Sequence, residues 1–227
     1  FINKKNLLES IFSGVLFHGL YLGGVFYSIS IGMPTGIAAL IVTLQPVLTN
    51  VVGGSILGER VTTKQWVGVL LGFIGAVLVL GLDIGSVIPL QGLVATIIAL
   101  IAITSSTIWQ KKLSNNLLLP VSNFYQAIGG CLFHLLIIII FAEPFINFSQ
   151  TFLIAMSHQI FLVSFGAFTI LMFLIKKNSA SKTVSIFFLV PSTSAFMAWL
   201  FLNESLSNLD LLGFLITTIG VYIATRD

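Results

Sequence analysis

The gaps between charged residues set the strongest limit on what this chain can fold into. Its 227 residues hold ten Lys and Arg and seven Asp and Glu. Between them lie uncharged stretches at 10–58, 65–82, 84–110, 113–142, 144–175, 183–203 and 211–225. A helix needs about 20 apolar residues to cross about 30 Å of hydrocarbon, and most of these stretches suffice. Only 7% of the chain is charged and 57% is hydrophobic, whereas a soluble domain carries roughly 25% charge. A water-facing surface cannot be covered from that supply. The composition excludes a soluble single-core domain, a disordered chain and nucleic-acid binding on a charged surface. An integral membrane protein remains. The runs from Ile137 to Phe141 and from Ile98 to Ile103 do not alternate, which argues against a transmembrane β-barrel.

Residues 10–58 are too many for one crossing, and Gly32-Met33-Pro34-Thr35-Gly36 supplies a break. Turn residues trim the other stretches. Eight spans are expected, at about 9–31, 35–57, 62–82, 90–110, 121–142, 151–175, 180–202 and 208–225. The loops before the first span and after the second, fourth, sixth and eighth contain every Lys and Arg. The remaining loops carry only Asp83, Glu143, Glu204 and Asp210 as charges. The positive-inside rule makes the basic side cytoplasmic. A multi-pass protein with a cytoplasmic C-terminus is expected. Cys131, the single cysteine, excludes an internal disulfide. The chain begins at Phe1 without a cleavage pattern, which reads as a truncation or a cut.

Residues 44–80 recur at 189–225 with a shift of 145. The shift matches Leu44 with Leu189, Pro46 with Pro191, Glu59 with Glu204, Gly68 with Gly213 and Gly75 with Gly220. It carries the second span onto the seventh, so the unit has five helices, and an odd count inverts each copy in the membrane. Inverted repeats are common in secondary transporters. The second unit starts near residue 90, so the first would start about 55 residues before Phe1; a natural eight-helix chain is the alternative. The expected architecture is an all-α polytopic membrane protein with an inverted repeat of five helices, eight of ten being present. Residues 1–82 would hold helices three to five of the first repeat, and 90–227 the second repeat.

These residues carry a family resemblance: Pro46, then Leu57-Gly58-Glu59-Arg60, Gln65-Trp66-Val67-Gly68 and Gly72 to Gly75, with a second copy in Pro191, Phe201-Leu202-Asn203-Glu204, Leu212-Gly213 and Gly220. The chain resembles the EamA-domain family of the drug/metabolite transporter superfamily. Asn203 and Ser205 stand where the family's usual Gly and Arg would flank the second Glu. The resemblance covers nearly the whole chain. It implies ten helices, both termini inside, and export or exchange of small metabolites, amino acids or drugs, here across a bacterial inner membrane.

No span holds Asp, Glu, Lys or Arg deep in its middle, so these spans offer no obvious carboxylate for ion coupling; the two absent helices could hold one, and what remains here is uncharged and polar. The seventh span places Ser181, Ser185, Phe188, Ser192, Ala195 and Trp199 on one helical face. That face reads either as a proline bend whose serines bond their own backbone or as a cavity wall. Substrate-cavity candidates are His18, Tyr21, Thr43, Gln45, Ser106, Gln126, His134, Ser185, Phe188, Ser192 and Trp199. Pro46 and Pro191 are expected to break their helices. Glu59, Arg60 and Glu204 are gate or loop candidates, and Glu59 could pair with Arg60 and Lys64 or simply cap a helix end. For each histidine an interhelical hydrogen bond is the commoner role, and no spacing supports a zinc site from His18, His134 and His158. No cofactor is expected. The expected partners are a small-molecule substrate, the lipid bilayer and a possible coupling ion of unknown identity, with no nucleic acid, in a monomer or a homodimer. A secondary transporter working by alternating access is the leading reading. A non-transporting scaffold or receptor-like protein and an intramembrane enzyme are the alternatives, and the repeat and the lack of a catalytic cluster weigh against them.

Overall fold

The computed structural model describes residues 3–81, 87–141, 146–202 and 205–226. Seven helices among the described residues are long and apolar enough to cross a membrane. These are α1 (Lys4–Ser30), α2 (Thr35–Leu57), α3 (Thr63–Leu80), α4 (Leu90–Ser114), α5 (Leu119–Phe141), α6 (Gln150–Lys177) and α8 (Asn208–Thr225). Residues 180–202 form an eighth, α7, interrupted by a 3-10 turn at Ile186–Phe188. The chain is an all-α polytopic membrane protein.

Three helices outrun their expected ends, α1, α4 and α6, which runs on through Lys176 and Lys177, because a charge ends a membrane crossing and not a helix. α1 starts at Lys4, where Asn3 accepts a hydrogen bond from the Lys5 amide and Lys5 pairs with Glu9 at 3.9 Å. α4 continues through Lys111 to Ser114. The Lys111 ammonium donates to the carbonyls of Ile175 (2.9 Å) and Asn178 (2.6 Å), at and just beyond the last turn of α6. A cation there meets carbonyls with no intrahelical partner and the negative end of the helix dipole.

α4 is the central helix: more than half of its apolar window is buried, against a third or less in the other six. It packs on α1, on both halves of α2 and on the end of α6. Its polar side chains bond across to neighbours, as helices in lipid require. Ser13 and Ser106 hydroxyls lie 3.1 Å apart, Gln110 donates to Gln126 (3.0 Å), Gln126 donates to Ser122 (2.9 Å), and Gln45 donates to Thr107 (3.0 Å). Against lipid stand exposed apolar side chains such as Leu135, Ile139, Phe161 and Phe165.

α3 and α8 form the tightest seam. Both start with a capping box, Thr62 with Gln65 and Ser207 with Asp210. Each cap satisfies two amides that the helix leaves free. Glycines then let the backbones touch: a Cβ on Gly75 would lie 2.7 Å from the Gly213 carbonyl, and one on Gly68 would lie 2.6 Å from that of Gly220. The pairing is reciprocal, because a shift of 145 turns Gly68 into Gly213 and Gly75 into Gly220. The ring of Phe188 fills the space over Gly72, with Val69, Ala76, Val221 and Ala224 around it.

The same shift relates other features. Residues 35–57 and 63–80 map onto 180–202 and 208–225, the bounds observed. The π-helical segments Val15–Leu22 and His158–Ala167 overlap under it, as do the breaks at residues 43–44 and 186–188.

Candidate functional site: a cavity between two broken helices

Prolines create the walls of the site. Pro46 and Pro191 have no N–H to donate four residues back, and their rings crowd that turn. The carbonyls of Val42 and Phe187 therefore lose their usual donors, and the helices break there. In α1 and α6 the backbone widens to π-helix instead, a local irregularity frequent at functional sites.

All four irregular segments meet at a cavity of about 830 Å³. α1 contributes Phe17, His18, Tyr21, Leu22, Val25 and Ile29. α2 contributes Thr35, Gly36, Ala38, Ala39, Val42, Thr43 and Gln45. Gln159, Val163, Ser164, Ala167, Phe168 and Leu171 come from α6, and Phe187, Val190, Pro191, Ser194 and Ala195 from α7. Val79, Leu80 and Ile103 complete the lining. The cavity reaches the ends of α1–α3 that lie away from the Lys- and Arg-bearing loops. Its deep end lies at Gln45, Ile103, Leu171 and Phe187.

Its chemistry is neutral. None of these lining residues is Asp, Glu, Lys or Arg. The walls are apolar and aromatic, with Phe17 and Phe168 rings 4.9 Å apart and His18 5.0 Å from Phe168. Dispersed among them are hydrogen-bonding groups: His18, Tyr21, Gln45, Gln159, Ser164 and Ser194. Gln45 donates its amide nitrogen to Thr107 and keeps its carbonyl oxygen clear of described partners. Such a surface fits an uncharged or net-neutral molecule with one polar head and an apolar body, the usual construction of small-molecule pockets.

Several sequence candidates sit elsewhere. Of the eleven cavity candidates, His18, Tyr21, Thr43 and Gln45 line the cavity, as does the helix-break residue Pro191. Ser106 and Gln126 belong to the hydrogen-bonded core around α4. Ser185 is buried and donates to the carbonyl of Ser181 at 2.9 Å. Phe188 fills the α3–α8 core and Pro46 is fully buried. Ser192 is buried with its hydroxyl unpartnered. Trp199 is half-exposed beside Phe196. His134 lies outside the lining, but its Nε2 donates to the His18 carbonyl at 2.9 Å and so fixes α5 to the π-helical turn behind the cavity. Ser164 carried no sequence signal, because a lone serine in an apolar span becomes meaningful only once its face is known.

At the basic face, Glu59 pairs with neither Arg60 nor Lys64 among the described ion pairs. Its Oε1 accepts from the Ala180 amide (2.7 Å), and its Oε2 from the Ser181 amide (3.1 Å) and hydroxyl (2.8 Å). Gly58, at φ 67°, ends α2 in the left-handed conformation open to glycine and leads the chain to Glu59. Arg60 is exposed. Glu204 lies outside the described residues.

The comparisons agree on the class of molecule. The model of the EamA-like transporter family matches residues 1–81 and 90–226. An uncharacterized transporter, YvbV, of Bacillus subtilis (strain 168) is 26% identical over 95% of this chain and 69% of its own length. A probable amino-acid metabolite efflux pump of Escherichia coli (strain K12) is 23% identical over 88% of this chain and 70% of its own. A solved crystal structure shares the fold with a TM-score of 0.76 at 16% identity, over 97% of this chain and 86% of that one.

Proposed function

The chain belongs to the EamA-like transporter family, and from that premise we propose that it is a secondary transporter, acting as an exporter of small net-neutral organic solutes by alternating access. The cavity between the two broken helices carries the proposal. A solute enters a chamber with no fixed charge, presents its polar head to Gln45, His18 and Tyr21, and packs its body against Phe17, Phe168 and Phe187. Discontinuous helices meeting at mid-membrane are a recurring way to offer backbone and side-chain polar groups to a solute. Amino acids and related metabolites fit this chemistry, and one relative's name points the same way.

Two halves of like design exchange the side to which the site opens. Residues 1–82 belong to the first and 90–227 to the second. The recurrence of helix bounds, π segments, breaks and capping boxes at a shift of 145 supports this division. The reciprocal glycine pairing of α3 with α8 is what an approximate two-fold axis in the membrane plane produces. The Lys- and Arg-bearing loops and the C-terminus face the cytoplasm of a bacterial inner membrane, and the cavity opens outward.

The test is counterflow in proteoliposomes with neutral, zwitterionic, cationic and anionic metabolites. Saturable exchange confined to neutral and zwitterionic solutes is expected. Folded protein that exchanges none of them, or only charged ones, would remove the proposal.

A further inference from the structure

α2 carries an unexplained polar turn. The Thr49 hydroxyl and both amide atoms of Asn50 are buried and have no hydrogen-bond partner. Thr49 is 0% exposed and Asn50 3%. Buried polar groups are nearly always paired, because an unpaired one forfeits its hydration without return. Three such atoms on adjacent residues call for a reason beyond packing.

The sequence shift supplies it. Adding 145 to Thr49 and Asn50 gives Ser194 and Ala195, which line the open cavity one turn past Pro191. Thr49 and Asn50 hold the same place one turn past Pro46. The segments facing them show the same contrast. Thr35, Gly36 and Ala39 line the open cavity and are at least partly exposed, whereas their counterparts Ala180, Ser181 and Val184 are buried. The 180–185 segment packs against the Gln45–Leu57 half of α2, and Glu59 holds its first two amides.

We infer that Thr49 and Asn50 are the solute-binding wall of the opposite, inward-open state, closed off here by the 180–185 segment that Glu59 latches. This rests on the alternating-access reading above and adds the residues of its second half-site. An amide and a hydroxyl offer donors and acceptors without charge, so the wall takes the polar head of the same net-neutral class of solute. Release of the latch lets 180–185 swing from α2 and exposes both side chains to the basic face.

Thiol labelling tests this without any solute. Thr49→Cys, Asn50→Cys and Ser194→Cys are made singly in a Cys131→Ala background of the full-length protein, in membrane vesicles of both orientations. The probe is a membrane-impermeant methanethiosulfonate. With Glu59 intact, Ser194→Cys should react from the acidic-loop face and the α2 cysteines slowly from the basic face. Glu59→Ala should speed the α2 cysteines about tenfold, as a shift of a two-state equilibrium does, and slow Ser194→Cys. Unreactive α2 cysteines in both backgrounds, beside a reactive Ser194→Cys, would overturn the inference. Thr49→Val provides a second reading. It should keep or raise the melting temperature, since the lost hydroxyl had no partner, while slowing exchange; a lower melting temperature with unchanged exchange counts against the assignment. Measured exchange with inert α2 cysteines rejects this inference alone, whereas absent exchange rejects the transport reading itself.

Discussion

The Glu59 carboxylate takes two hydrogen bonds from Ser181, one from the amide at 3.1 Å and one from the hydroxyl at 2.8 Å, across 122 residues of sequence. With the Ala180 amide at 2.7 Å, these bonds tie the end of α2 to the start of α7. Hydrogen bonds to a charged group contribute about 1.5–3 kcal/mol each when well shielded, and partial exposure lowers that here. Glu59→Ala should cost about 2–3 kcal/mol in all, read as an earlier midpoint in SDS-induced unfolding. Glu59→Gln, which can still accept, should lose less. Equal midpoints for both variants and the parent would show that the contact carries no weight.

The α3–α8 seam should tolerate no added methyl group. Gly75→Ala places a Cβ 2.7 Å from the Gly213 carbonyl, so the helices must separate. Overpacking of this kind costs about 1–3 kcal/mol. Gly166→Ala is the control, because its nearest heavy atom lies at 3.6 Å. Thermal unfolding in detergent should separate the two variants clearly.

The α4 network should govern stability and leave solute affinity alone. Gln126→Leu removes the acceptor of Gln110 and the donor to Ser122. A loss of about 1–3 kcal/mol is expected from the buried partners left behind, with KM for exchange unchanged. A changed KM at unchanged stability would move Gln126 into the solute path.

The cavity wall should behave in the opposite way. Ser194→Ala and Tyr21→Phe remove polar groups from the cavity lining, and each should raise KM several-fold with little loss of folded protein. Normal kinetics in both would place the solute elsewhere.

Span number and bounds were legible because charge and turn residues mark where helices leave the membrane; the 180–202 and 208–225 spans match the structure to the residue. The breaks were legible through Pro46 and Pro191, because proline acts on its own helix. The cavity lining was legible only in part. Ser185, Phe188 and Ser192 share a helical face on paper, but the 3-10 turn at 186–188 rotates that face, so it runs into the core. Ser106 and Gln126 looked like solute ligands because composition cannot distinguish a polar group that binds another helix from one that waits for a guest. The partner of Glu59 was hidden for a similar reason: its donors are backbone amides, which every sequence has and no sequence marks.

Flux through a reversibly locked protein tests alternating access most directly. Glu59→Cys with Ser181→Cys, in a Cys131→Ala background, is joined by a short reducible bifunctional thiol reagent in proteoliposomes. Exchange of net-neutral solutes should stop when the two positions are joined and return on reduction. Undiminished exchange in the joined protein would contradict alternating access.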